Sequence, residues 1–338
     1  MTNELNQLKS LLEPSNRFII LAHKSPDGDA VGSTAAFYHF LSNLSCSAKV
    51  VLPDLPSDTL LPFMAHTDCL YFSEDPDAVK ARFKEASVLI CLDFNAPSRV
   101  GDMYALIEDF SGVKVMIDHH PEPEPFADIM ISDISNTSTC QLIYECIQGM
   151  DYTHAVNQDV ARSLYLGIMT DTGSFRFPSV NAKTHQILSE LIHTGIRHWQ
   201  IHQDVFDNNR IDQLQLRGFA ISEKLVLLNN QDKSCPVGYI SLTRAELDRF
   251  NYKAGDTEGL VNVILSLEGI KVGVLIQEKS EGIKMSFRSK DEIFINELAK
   301  QHFHGGGHKY AAGGISFDSM EVTISKLTSL MQAKFHQE

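Results

Sequence analysis

No two of the six cysteines stand at CxxC spacing; they lie apart at Cys46, Cys69, Cys91, Cys140, Cys146 and Cys235. That excludes a zinc knuckle or a thioredoxin-like site and reads as reduced thiols in a cytoplasmic protein. No apolar run approaches the ~20 residues that span a bilayer. The first 13 residues are polar and amphipathic, without the apolar core of a signal peptide. A basic surplus is missing too. With 43 acidic against 29 basic residues the formal charge is −14, which argues against wrapping long nucleic acid. A short anionic substrate held by metal ions and a few local cations remains compatible with that charge. Repeats and low-complexity tracts are absent.

What is present is a core and enough chain for two domains: 43% of the 338 residues are hydrophobic. Leucines at 5, 8, 11 and 12 predict a lead-in helix. Residues 18–21, 48–52, 88–92 and 113–117 are short, apolar, β-branched runs with helical periodicity between them, the pattern of a parallel sheet. A helix is expected over 155–171, followed by two or three helices over 181–194 and 198–229. Beyond these, strands are expected at 237–242, 272–277 and 283–288, with helices at 245–249, 293–301 and 322–335. This is a smaller α+β unit with its own glycine cluster.

The apolar runs end in chemistry. Residues 113–117 run into Asp118, His119 and His120; 88–92 into Asp93; 18–21 into a loop holding His23, Asp27 and Asp29, bent by Pro26 and Gly28. The 155–171 helix delivers Asp171. In open α/β sheets ligands bind beyond the carboxyl ends of strands. Asp and neutral His ligate Mn²⁺, Mg²⁺ or Zn²⁺. Asp29 falls at a helix start, where a single acid is commonly a cap. If the strand ends converge, however, five acids share one crevice. Two carboxylates ~4 Å apart repel by ~4 kcal/mol at an effective dielectric of ~20, against a domain stability of about 5–15 kcal/mol. Divalent cations reverse the sign, so a binuclear metal site is expected.

His23-(x3)-Asp27-Gly28-Asp29-Ala30-x-Gly32-Ser33, then Asp93, Asp118-His119-His120 and Asp171, resemble the motifs of the DHH phosphoesterase superfamily. Gly305-Gly306-Gly307-His308, followed by Ala311-Ala312-Gly313-Gly314, resembles the substrate-binding domain called DHHA1. The resemblance implies an α/β fold: a parallel-sheet DHH domain with helices on both faces at 1–195, a helical linker at 196–215, and a smaller α+β DHHA1 domain at 216–338. It implies two divalent ions, usually Mn²⁺. His23 and Asp27 would hold one; Asp29, His119 and Asp171 the other; Asp93 would bridge them. Asp118 would orient a histidine and His120 would contact substrate phosphate. Asp93, Asp118, His119 and His120 thus form the expected catalytic group. Substrate binding is expected from His120, Arg288, Gly305, Gly306, Gly307 and His308: glycines let backbone N–H groups approach an anion, and Arg288 and His308 add charge or stack on a base.

The two-domain arrangement is similar to the nanoRNase / pAp phosphatase group. That implies Mn-dependent, two-metal hydrolysis of short oligoribonucleotides, of adenosine 3′,5′-bisphosphate, or of both. Alternatives are a cyclic di-AMP or pApA phosphodiesterase, an exopolyphosphatase-like hydrolase, and a non-catalytic nucleotide sensor. The expected partner is short RNA or a small nucleotide, with no long nucleic acid and no membrane; a homodimer is allowed. The basic motif of family II pyrophosphatases, the extra modules of RecJ-type exonucleases, and the membrane segments of anchored cyclic-dinucleotide phosphodiesterases are not found. Three other features stay open. Asn136-Thr137-Ser138-Thr139, before a helix at 140–147, reads equally as a cap or an anion holder. Arg99 reads better as a structural ion pair than as a phosphate contact, and Phe175 better as core than as a substrate contact.

Overall fold

The computed structural model describes residues 2–228 and 235–335. The expected domain limits at 1 and 338, and the last residue of the helical stretch 198–229, lie outside the described residues. The chain divides into two compact units, Met1–Asn208 and Asn209–Glu338. Among the described residues no helix is long and apolar enough to cross a membrane. All six cysteines are free thiols.

The first unit runs α1 (Thr2–Leu11), β1 (Arg17–Leu21), α2 (Gly28–Asn43), β2 (Ser47–Leu52), β3 (Cys69–Tyr71), α3 (Pro76–Glu85), β4 (Val88–Leu92), α4 (Tyr104–Glu108), β5 (Val113–Asp118), β6 (Ile129–Ser132), α5 (Thr139–Gly149), α6 (Gln158–Asp171), α7 (Ala182–His193) and α8 (His198–Phe206). Its six strands lie in the order β3-β2-β1-β4-β5-β6, every pair parallel. Strand alternation sends the apolar residues to two faces. Phe18, Ile20, Ile90, Val115 and Ile117 join one core with residues of α1, α2, α5, α6 and α7. Ile19, Leu21, Leu89, Cys91 and Met116 join the other, with Val79 and Phe83 of α3 and Ile107 of α4. Helices therefore cover both faces, which is why β4 is buried at every position.

The second unit runs α9 (Ile211–Glu223), β7 (Leu225–Leu227), β8 (Val237–Leu242), α10 (Arg244–Arg249), α11 (Leu260–Leu265), β9 (Val272–Lys279), β10 (Gly282–Ser289), α12 (Asn296–His302), β11 (Gly306–His308), β12 (Ala311–Ser316) and α13 (Met320–Phe335). Its sheet is mixed, in the order β11-β12-β10-β9-β8-β7, with β8 and β9 parallel and the other pairs antiparallel. On β10, Ile283, Met285 and Phe287 face the core, while Lys284, Ser286 and Arg288 face outward.

Two expectations need correction. Residues 225–227, read as helix, are strand β7. The helix read from 155 begins at Gln158, after a separate three-ten turn at Thr153–Ala155. The glycine cluster, to which the sequence assigns no element, forms the hairpin β11–β12. A Cβ at Gly305 would stand 1.9 Å from the Gly313 carbonyl oxygen, so there the glycine admits close backbone approach, a use that strand propensity does not reveal.

Candidate functional site

Strand ends β1, β4 and β5 lie side by side in the first sheet, and each delivers its acids and imidazoles at its carboxyl end. After β1 the chain turns into α2, and the cap of that helix is Asp27 rather than Asp29. Asp27 Oδ1 accepts hydrogen bonds from the N–H groups of Asp29 (3.0 Å) and Ala30 (3.1 Å). The same oxygen lies 3.8 Å from His23 Nε2. His23 Nδ1–H donates to the Lys24 carbonyl (2.9 Å). A carbonyl only accepts, so Nε2 carries the lone pair.

His119 is fixed in the same way. Its Nδ1–H donates to the Asn136 carbonyl (3.3 Å). Nε2 then faces Asp171 Oδ2 at 3.5 Å, Asp93 Oδ1 at 3.8 Å and Asp29 Oδ2 at 3.9 Å. Asp93 stands between the two histidines: its Oδ2 is 3.5 Å from His23 Nε2 and its Oδ1 points to the His119 side. It follows β4 directly, with its N–H on the Ile117 carbonyl and φ of +64°. The left-handed region is costly for a residue with a side chain, though least for Asp and Asn.

These distances test the fit of metal ions. The ligand atoms of His23, Asp27 and Asp93 lie within 4.8 Å of one another, and so do those of Asp29, His119 and Asp171. Imidazole lone pairs facing carboxylate oxygens at 3.5–3.9 Å make no good hydrogen bond. Ligands sharing an ion at about 2.0–2.2 Å from it lie about 3–4 Å apart. The nitrogen and oxygen donors suit a divalent cation of the Mn, Mg or Zn kind. Burial, followed by repulsion from Asp93 and Asp171, drives the Asp29 carboxyl well above its ordinary range. Burial, followed by Asp27, does the same to Asp93. Opposing these, Asp171, Asp29 and Asp118 outweigh burial and raise the His119 imidazole. Asp171 sits at the carboxyl end of α6, where the helix dipole also disfavours an anion. The cluster is destabilising without positive charge between its members.

Asp118 does a different job. Fully buried, it accepts from the His120 ring at 2.7 Å and from the His120 backbone N–H at 3.1 Å. Burial alone would raise its carboxyl, but the His120 hydrogen bond prevails and holds it low. The histidine it orients is His120.

Residues that sequence reasoning left open or missed complete the centre. The segment 136–139 is both a cap and an anion holder. Ser138 caps α5 by accepting from the Gln141 N–H, while the N–H groups of Thr139 (2.6 Å) and Cys140 (3.0 Å) bind the Asp29 carboxylate, an anion of the protein itself. Glycines set the approach of α2, α5 and α6. A Cβ at Gly28 would meet Thr170 at 2.2 Å, and one at Gly167 would meet Cys140 Sγ at 2.2 Å and Asp29 Oδ1 at 2.5 Å. The i,i+4 pair Gly28/Gly32 and a glycine in mid-helix are signals that could have located this seam. Phe175 packs with Tyr165 on the core. The Arg99 side chain is exposed and forms no ion pair among the described residues, so the expected structural pair is not made; its carbonyl accepts from Lys24.

In the second unit, register assembles the remaining candidates. Arg288 pairs opposite Ala311, and Ala311 opposite His308, so Arg288 and His308 share a face two strands apart with only a methyl group between them. Ser286, Gly313 and Gly306 make the next row. The result is a floor almost bare of side chains, edged by a guanidinium and an imidazole. Gly307 belongs to the opposite face and Gly305 N–H is committed to the Ala299 carbonyl (3.1 Å), so of the three glycines Gly306 alone lies on this floor.

Comparison with known proteins agrees with this architecture. Residues 17–168 match the DHH family, N-terminal domain, and residues 237–333 match the DHHA1 domain. The crystal structure of an exopolyphosphatase-related protein from Bacteroides fragilis is 33% identical, with a TM-score of 0.90 and 98% of each chain covered. The bifunctional oligoribonuclease and PAP phosphatase NrnA of Bacillus subtilis is 28% identical over 98% of each chain. The protein of the same description from Thermus thermophilus is 28% identical over 87% of this chain and 82% of its own. The chain belongs to the DHH/DHHA1 phosphoesterase family.

Proposed function

We propose that the protein is a two-metal phosphoesterase that hydrolyses short oligoribonucleotides, adenosine 3′,5′-bisphosphate, or both, with Mn²⁺ as its working metal. The observation that carries the reading is the division of the Asp93 carboxylate, one oxygen toward His23 and the other toward His119. His23 and Asp27 would hold one ion, Asp29, His119 and Asp171 the other, with Asp93 shared. Bound together, such ions supply Lewis-acid charge and ionise a water near neutral pH. Asp118 keeps the His120 ring in one orientation, so that it can meet a phosphoryl oxygen without reorganising. In the second unit, Arg288, His308 and the Gly306 floor would bind nucleotide, the guanidinium against phosphate and the flat surface under a base.

Full-length similarity to the oligoribonuclease and PAP phosphatase of B. subtilis supports this substrate class. Six free thiols and short-nucleotide chemistry support work in the cytoplasm. A hydrolysis panel with Mn²⁺ tests the reading, with pAp, pApA, cyclic di-AMP, a short RNA, polyphosphate and pyrophosphate as substrates. Turnover of pAp or short RNA above the rest supports it. Preference for cyclic di-AMP, pApA or polyphosphate moves the assignment to those esters. Nucleotide binding with no hydrolysis makes the protein a sensor.

A further inference from the structure

We propose that Thr139 is a positioning residue that sets the His119 side of the metal centre; this rests on the two-ion reading above. Its backbone N–H donates to Asp29 Oδ2 at 2.6 Å, and its hydroxyl donates to Asp93 Oδ1 at 2.9 Å. One residue therefore grips two carboxylates that arrive from α2 and from the end of β4. Both oxygens it holds are those facing His119, at 3.9 and 3.8 Å from Nε2. The oxygen of Asp93 turned to His23 is the other one.

Helix capping does not account for the hydroxyl. The cap of α5 is Ser138, whose side chain takes the Gln141 N–H. In a helix interior a threonine hydroxyl usually returns to the carbonyl one turn back, but Thr139 opens the helix and its hydroxyl goes to Asp93. The side chain is fully buried. A buried hydroxyl donating to an anion fixes which lone pairs of that anion remain for a metal, and outer groups of this kind commonly govern affinity by about 10–100-fold. A network behind it stiffens the grip. The Thr137 and Thr184 hydroxyls donate to the Gln141 side-chain carbonyl, the Gln141 amide donates to Asn136 Oδ1, and the Asn136 carbonyl holds His119. The segment 136–140 thus fixes His119, Asp93 and Asp29 together, while the His23 and Asp27 ligands are set by their own loop.

Mn²⁺ titration of the full chain tests this, read by calorimetry for stoichiometry and by electron paramagnetic resonance for the exchange-coupled pair. Wild type is expected to take up two ions. Thr139→Val keeps shape and the backbone N–H but loses the hydroxyl, so one of the two affinities should fall about 10–100-fold and the coupled signal should weaken at sub-saturating Mn²⁺. The other affinity should move less than threefold. Thr139→Ser should restore both readouts. If Val does not fold, as judged by circular dichroism, Thr139→Ala carries the same expectation. Two wild-type affinities in the Val or Ala variant, equal loss at both sites, or no rescue by Ser would each overturn the proposal. A wild-type protein that takes up no Mn²⁺ would instead remove the metal reading on which it rests.

Discussion

The first unit holds 27 acidic and 13 basic residues and so carries all of the net charge; the second holds 16 of each and is neutral. The acids that matter in the first unit gather at one centre, with Asp29, Asp93 and Asp118 buried, and there they repel one another. In the second unit, charged residues form pairs such as Arg210 with Asp256 at 2.8 Å. The two units therefore present opposite electrostatics to an anion. On the proposed reading the acidic one would need bound cations before it could hold a phosphate, whereas the neutral one would use Arg288 and His308. A protein can be strongly acidic and still serve phosphate chemistry if its acids are gathered as ligands.

That contrast can be broken or sharpened by experiment. The largest effect is expected from Asp93→Ala, which removes the carboxylate shared by both halves of the centre. Turnover should fall by about 10³-fold or more, while the circular dichroism spectrum of the metal-free protein keeps its wild-type shape. Near wild-type turnover would dissolve the distinction between the units. Next is metal removal. Mn²⁺ at 100 times its Kd should stabilise by about 2.7 kcal/mol per bound ion over chelated protein, and hydrogen exchange should show the added protection in residues 17–171 and not in 237–333. Protection spread evenly over both units would contradict the assignment of the ions to one of them.

Arg288→Ala probes the neutral unit. Loss of a charge-assisted hydrogen bond costs about 1.5–3 kcal/mol, so KM for a nucleotide ester should rise about tenfold or more, with kcat changed far less. A fall in kcat alone would shift Arg288 from binding to chemistry. The smallest effects come from glycine. Gly167→Ala presses a methyl into Cys140 and Asp29 and should lower denaturant stability by about 1–3 kcal/mol. Gly306→Ala meets nothing within 4 Å and should change stability by less than about 0.5 kcal/mol, though it roughens the floor beside Arg288.

The elements legible in the sequence were those whose pattern is local and strong. Strands β4 and β8 start and end where the apolar runs do, and α7 and α13 follow their periodicity within a residue or two. Edge strands β3 and β6 were not read, since three or four residues carry too little alternation to stand out. Strand β12 was hidden by Gly313 and Gly314, residues that propensity assigns to turns. In the centre the acids and imidazoles were visible because such side chains rarely follow buried apolar runs without purpose. Thr139 was only half visible. Its motif suggested an anion, but the anion proved to be Asp29, 110 residues away in the chain.

By itself the sequence determined which side chains could carry the chemistry, because residue type, and placement at the end of an apolar run, are read within a short window. Tertiary structure alone decided that Asp93 turns one oxygen to each histidine, that α5 grips Asp29, and that Ala311 leaves room between Arg288 and His308. Those facts depend on the parallel order of β1, β4 and β5, on the close approach of glycine-faced helices, and on hairpin register. Each is set by packing between segments far apart in the chain, and no local pattern encodes the distance between them.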